Sequence, residues 1–204
     1  MKRWMAYSLC AALLISKAIP QNTKPKLLVF ISIDHLRPDL LTRFDALFVG
    51  GFRWIIDHSI LFTQVHHEHA YTATGPGHFV LGSGRHPGPM GVLGNSWYDP
   101  EKGKNVYCVE DSLSNILGGG GRKVSYRNIC CSTLGDWIKE KEPKSKVYSV
   151  AGKDRSSILL GGRNPDLAIW YDWEGSFVTS NYYTINTPLW LINFNELTQT
   201  ISGL

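Results

Sequence analysis

A chain of 204 residues with 43% hydrophobic and 19% charged residues is globular, long enough for one sizeable core and too apolar for intrinsic disorder. Its formal charge of +4 shrinks once Lys2, Arg3 and Lys17 of the N-terminal leader are set aside, because 18 basic residues then face 17 acidic ones. A balance that close to neutral excludes a basic nucleic-acid-binding surface as the basis of function.

The leader places Lys2 and Arg3 before an apolar run over residues 9–15, with the small residues Ser16 and Ala18 after it. It reads as a signal peptide over residues 1–20, too short for a membrane span. The processed chain is therefore expected in the periplasm or outside the cell, with no stable span. Cys10 lies inside the apolar run and is not read as a lipid-attachment site. Cys108, Cys130 and Cys131 remain; in an oxidising compartment they allow one bridge from Cys108 to either neighbour of the pair and leave one thiol over. With no C-x-x-C spacing, a metal site built from these three is the weaker reading.

Residues 26–34, K-L-L-V-F-I-S-I-D, form the continuous aliphatic run expected of a strand buried on both faces of a parallel sheet. Asp34 closes it, at the end where open α/β sheets bind ligands; helix capping and a site role are equally consistent with that position. Over residues 38–59 the apolar spacing predicts a helix, a break at Gly50 and Gly51, and a second short helix. Residues 60–65 return as a strand, and the strand-helix-strand order implies parallel pairing through a right-handed crossover. His66, His67, Glu68 and His69 follow and read as a polar strand end, since residues in an extended run alternate sides and cannot all face one ion.

Next comes Y-T-A-T-G-P-G-H at 71–78, with Pro76 suited to the first position of a helix running through Leu81. Thr74 then stands before unpaired backbone N–H groups, where anions gather and a hydroxyl can meet a phosphate or a metal. On the octet alone Thr74 is more often a cap than a nucleophile. A Gly/Pro-rich loop from Gly82 to Gly94 leads to Asn95 and a β-hairpin, whose return strand covers 105–109. The Asn95 amide is a turn former and also a neutral donor for a phosphate oxygen.

Residues 111–127 are Gly-rich and read as mobile. Ser132 or Thr133 caps a helix carrying Leu134, Trp137 and Ile138 and ended by Pro143. A strand at 146–150 delivers Lys153 and Arg155 to a strand end; in an extended segment their spacing turns both cations to one side, a clamp for a phosphate dianion, against the commoner reading of a solvated loop. Strands at 167–172 and 176–183, joined by a turn at Glu174 and Gly175, precede a last helix capped by Thr187 and starting at Pro188.

Asp34 at the first strand end, T-G-P-G-H at 74–78, G-N-S-W-Y-D at 94–99, V-Y-C-V-E-D at 106–111 and G-K-D-R at 152–155 occur in that order. Together they resemble the alkaline phosphatase superfamily. Within it they are most similar to the threonine-nucleophile branch, which includes the type I phosphodiesterase/nucleotide pyrophosphatase enzymes and, closest, the bacterial phosphate-irrepressible alkaline phosphatases. The resemblance implies an α/β fold with a mostly parallel sheet flanked by helices, of which residues 24–204 are the N-terminal part. It implies hydrolysis of a small phosphate monoester with two zinc ions, and Thr74 as a nucleophile that also binds zinc. Asp34 would be an acidic ligand of the same ion, and Asn95, Gly75, Lys153 and Arg155 would hold the phosphate oxygens. The remaining zinc ligands belong to the family's later half, and none of the seven histidines matches them. Two alternatives stay open: a phosphodiesterase or nucleotide pyrophosphatase using the same threonine, and a non-catalytic secreted domain.

Overall fold

The computed structural model describes residues 24–202, so the signal peptide expected over 1–20 lies outside the described residues. The chain divides into two compact units after His35. In the first, residues 26–34 do not form the expected strand: they enter no sheet ladder, and Leu27, Val29 and Ile31 are exposed. An aliphatic run becomes a strand only where neighbouring backbones satisfy its N–H and C=O groups, and among the described residues no strand pairs with this one.

In the second unit, helix α1 (Pro38–Arg43), a short 3₁₀ turn (Asp45–Leu47) and helix α2 (Gly50–His58) reproduce the broken helix read from the sequence. Gly50 takes a φ of +60°, which explains the break as a left-handed residue at the new helix start. Residues 60–65 correct a second expectation: they are irregular and exposed, so the parallel crossover pairing with the first run does not form.

Order improves from helix α3 (Thr74–Ser83) onward. It begins two residues earlier than expected, so Pro76 occupies the third helical position, where its missing N–H costs nothing because the first four N–H groups have no intrahelical acceptor. Gly84 ends the helix with a φ of +61° and donates its N–H to Val80 O at 2.8 Å. Strands β1 (Ser96–Asp99) and β2 (Lys104–Tyr107) form the predicted antiparallel hairpin, with Ser96 opposite Tyr107.

The main sheet runs β3 (Ile116–Leu117), β6 (Phe177–Ser180), β5 (Leu167–Tyr171) and β4 (Tyr148–Ala151). β4 and β5 are parallel and the other two pairings antiparallel. Helix α4 (Leu134–Lys141) starts at the predicted Thr133, whose N–H donates to Asp136 Oδ2 at 2.8 Å. Helices α5 (Asp154–Gly161) and α6 (Leu189–Ser202) complete the α/β arrangement. Along β5, Leu167 and Ile169 pack with Leu191 of α6, while Trp170 joins Phe79, Val109, Tyr126, Ile158 and Leu159 in the main core. Both faces of this strand are covered, which is why its sequence is apolar without alternation.

Gly82 lets α3 lie directly on α5, because a Cβ there would stand 2.9 Å from Leu159 O. The close approach brings the helix that begins at Thr74 against the helix that carries Arg155. Among the described residues no bridge joins the cysteines: Cys108 is buried, Cys130 exposed and Cys131 half-buried, all with free thiols, so the bridge that the sequence allowed from Cys108 is not formed here.

Candidate functional site

Thr74 occupies the first position of α3 and is 8% exposed, with Ala73 in extended conformation ahead of it. The Thr74 carbonyl accepts a hydrogen bond from His78 Nδ1 at 2.8 Å. The ring therefore carries its proton on Nδ1 and steadies the first turn. The Gly75 N–H, one of the orphan donors of the helix start, donates to Asn95 Oδ1 at 2.7 Å. Two residues read separately from the sequence as phosphate binders are thus bonded to each other, and accepting this bond assigns Oδ1 and leaves the Asn95 amide NH₂ as a donor. Gly75 cannot carry a side chain in this setting: a Cβ would meet Asn95 Oδ1 at 3.1 Å, Cys108 Sγ at 3.2 Å and Gly94 O at 3.3 Å.

The hairpin extends the cluster. Cys108 N–H donates to Asn95 O at 3.0 Å, continuing the ladder in which Tyr107 faces Ser96. Burial, with the Asp154 charge adding to it, pushes the Cys108 thiol up to about 12, so it stays a neutral thiol beneath Gly75. The Tyr107 hydroxyl donates to Asp154 Oδ1 at 2.5 Å and accepts from Arg155 Nη1 at 3.0 Å. Burial first, then the Asp154 charge, raises the Tyr107 phenol well above its ordinary range, so it remains protonated. For Arg155, burial works to lower the guanidinium, and the bond to Tyr107 leads the effects that outweigh it and leave it raised. Arg155 Nε is buried with no acceptor among the described residues.

Lys153 is the N-cap of α5, in extended backbone, and Arg155 stands in the first turn of the helix. The expectation that both cations lie in one extended segment is therefore corrected, since the chain turns helical between them and period-two spacing no longer sets their directions. Asp34 belongs to the first unit; it is exposed, in a turn, with His35 Nε2 at 3.9 Å from its Oδ2. His67 and His69 meet edge to face at 5.1 Å, and burial leads the effects that push His69 down. Among the described residues no three His, Cys, Asp or Glu side chains gather so as to hold a metal ion. A zinc ion takes three or four protein ligands, and Thr74 with Asp34 would supply two at most.

The structure thus joins Thr74, Gly75, Asn95 and Arg155 through one path of contacts that runs by way of Cys108 and Tyr107. Tyr107, Cys108 and Asp154 received no role from the sequence alone. A signal existed for Tyr107: pairing the hairpin from its turn at Gly103 sets it opposite Ser96, beside Asn95. No spacing rule could have linked it to Asp154 and Arg155, which lie 47 and 48 residues further on.

Comparison with known proteins shows the family. The profile of the type I phosphodiesterase / nucleotide pyrophosphatase family matches residues 28–200. Alkaline phosphatase PafA of Elizabethkingia meningoseptica is 37% identical over 187 residues, covering 89% of this chain and 34% of that protein. Alkaline phosphatase PhoV of Synechococcus elongatus is 37% identical over 182 residues, covering 86% and 33%. The crystal structure of wild-type PafA superposes with a TM-score of 0.76 at 35% identity, over 80% of this chain and 33% of that one. The chain spans about a third of the length of the curated relatives it matches.

Proposed function

Because the chain belongs to the type I phosphodiesterase / nucleotide pyrophosphatase family, we propose that the full-length protein is an exported hydrolase of small phosphate monoesters with Thr74 as its nucleophile. The observation that carries this reading is the path of contacts from the helix start at Thr74 and Gly75, through Asn95 and the hairpin, to Arg155. The residues it links bear a hydroxyl, a neutral amide donor and a guanidinium, the set that phosphoryl transfer asks of a protein.

In this mechanism Thr74 gives up its hydroxyl proton to solvent, Oγ1 bonds to phosphorus as the ester P–O bond breaks, and the departing alkoxide takes a proton from water. Water then attacks the phosphothreonine, releasing inorganic phosphate and restoring the hydroxyl. The Asn95 NH₂ and the Arg155 guanidinium stabilise the equatorial oxygens, with Lys153 as a further cation, and Gly75 contributes by holding Asn95 Oδ1 so that the amide NH₂ is the group left for the phosphate. Asp34 is proposed as an acidic zinc ligand. Two zinc ions are proposed for the full-length protein on the resemblance alone. A metal of this kind supplies a nucleophile of lowered pKa and charge for the leaving oxygen, but the described residues do not complete a site for it and no step is drawn through it.

Full-length protein should hydrolyse an aryl phosphate monoester and lose activity on chelation. Thr74→Ala should lower the rate by about a thousandfold or more and prevent trapping of labelled phosphate on the protein. Arg155→Ala should lower the monoester rate by about ten- to a hundredfold. Unchanged monoester turnover in Arg155→Ala would refute the monoesterase reading. The family description also covers phosphodiesterases; a diester rate above the monoester rate on one preparation would select that reading.

A further inference from the structure

We propose that Tyr107 is the positioning residue for Arg155, fixing which edge of the guanidinium is offered to phosphate. The proposal rests on the phosphate-binding role of Arg155 put forward above. The Tyr107 hydroxyl has one proton and gives it to Asp154 Oδ1 at 2.5 Å, so only its lone pairs face Arg155, and Nη1 donates to them at 3.0 Å. Asp154 Oδ1 also accepts the Arg155 backbone N–H at 2.6 Å. One carboxylate oxygen therefore orders both the hydroxyl that holds the Arg155 side chain and the backbone that bears it.

With one Nη1 proton given to Tyr107, the edge formed by Nε and Nη2 is the one whose donors are not shared with the tyrosine. Nε is buried and lacks an acceptor among the described residues. A buried donor without a partner is costly unless a ligand satisfies it, and two parallel N–H groups on one edge match two oxygens of a phosphate. The phenol cannot drift from this role, because its ring lies beneath Arg122, whose Cζ is 4.2 Å from the ring centroid. Burial, with the Asp154 charge adding to it, keeps the hydroxyl protonated, so the geometry does not switch with pH around neutrality. Tyrosine is required for the hydroxyl: phenylalanine fills the same space and removes both bonds at once.

The test is a double-mutant cycle in the full-length protein, read by monoester kcat/KM and by inhibition with inorganic phosphate. Tyr107→Phe should lower monoester kcat/KM and weaken phosphate inhibition by about tenfold each, with little effect on a diester, whose phosphate presents fewer charged oxygens. In an Arg155→Ala background the same substitution should have no further effect. Equal losses in both backgrounds would overturn the proposal, as would a wild-type Tyr107→Phe beside a disabled Arg155→Ala. Full monoester activity in Arg155→Ala would overturn the site reading and this proposal with it, so the two failures are told apart.

Discussion

Residues 167–171 and residues 27–33 carry nearly the same message, a run of aliphatic and aromatic side chains interrupted only by Ser32, and meet opposite surroundings: Ile169 is 5% exposed and Ile31 66%. Residues 167–171 have β4 on one side, β6 on the other, α6 over one face and the main core over the other. Residues 27–33 have no paired strand among the described residues. A continuous apolar run states that a segment can be covered twice; what covers it is a property of other segments and is not written in the run itself. Residues 60–65 repeat the lesson within the second unit, where Ile60, Leu61 and Phe62 are all exposed.

The strongest way to break this contrast is to shorten the same residue type in both runs. Ile169→Ala should destabilise the packed unit by about 2–5 kcal/mol, a lost transfer term plus the cavity left between β5 and α6. Ile31→Ala should change it by less than about 0.5 kcal/mol. Urea midpoints of the two variants would decide, and equal losses would mean that the first run is buried in solution as deeply as β5.

A smaller effect sharpens the contrast inside the packed half. Gly82 lies where α3 touches α5, and an added Cβ would stand 2.9 Å from a backbone oxygen that cannot swing away. Gly82→Ala should cost about 1–3 kcal/mol of overpacking, readable as a lowered melting temperature. Because α3 and α5 carry Thr74 and Arg155, monoester turnover should fall more than the stability loss alone would produce. Retained turnover with lowered stability would show that the helix spacing serves packing only.

Much of this arrangement was legible in advance, for reasons that differ from residue to residue. The hairpin, the Thr133 cap and the break at Gly50 follow from local chemistry, namely turn residues, a capping side chain and a left-handed glycine, and local chemistry is what a sequence spells out. Thr74, Asn95 and Arg155 were expected from motif order, and a path of contacts through Gly75, Cys108 and Tyr107 runs between them. The bond between Gly75 N–H and Asn95 Oδ1 was not legible, because it joins residues 20 positions apart whose separate readings each pointed at a ligand. The extended conformation read across Lys153 and Arg155 does not hold, because the helix begins between them, at Asp154.

The smallest predicted effect concerns why β5 is clamped while the first run is not. Asp166, just before β5, accepts hydrogen bonds from Lys139 Nζ at 3.1 Å, Lys146 Nζ at 2.9 Å and Val147 N–H at 2.9 Å, tying α4 and the entry of β4 to the start of β5. Burial works to raise this carboxyl, and the hydrogen bonds from Lys146, Val147 and Lys139 outweigh it, holding the group down at about 2. Its folded value lies below its unfolded one, so its contribution is fully present above about pH 4 and is lost as pH falls towards 2. Allowing for the exposed Lys146 end of the network, Asp166→Asn should cost about 1–2 kcal/mol at neutral pH. The gap between variant and parent in urea midpoint should close as the medium is taken from pH 4 towards pH 2, because the parent then loses the same charge. A gap that stayed constant down to that limit would assign the loss to the side chain's shape, and the clamp on β5 would be steric rather than ionic.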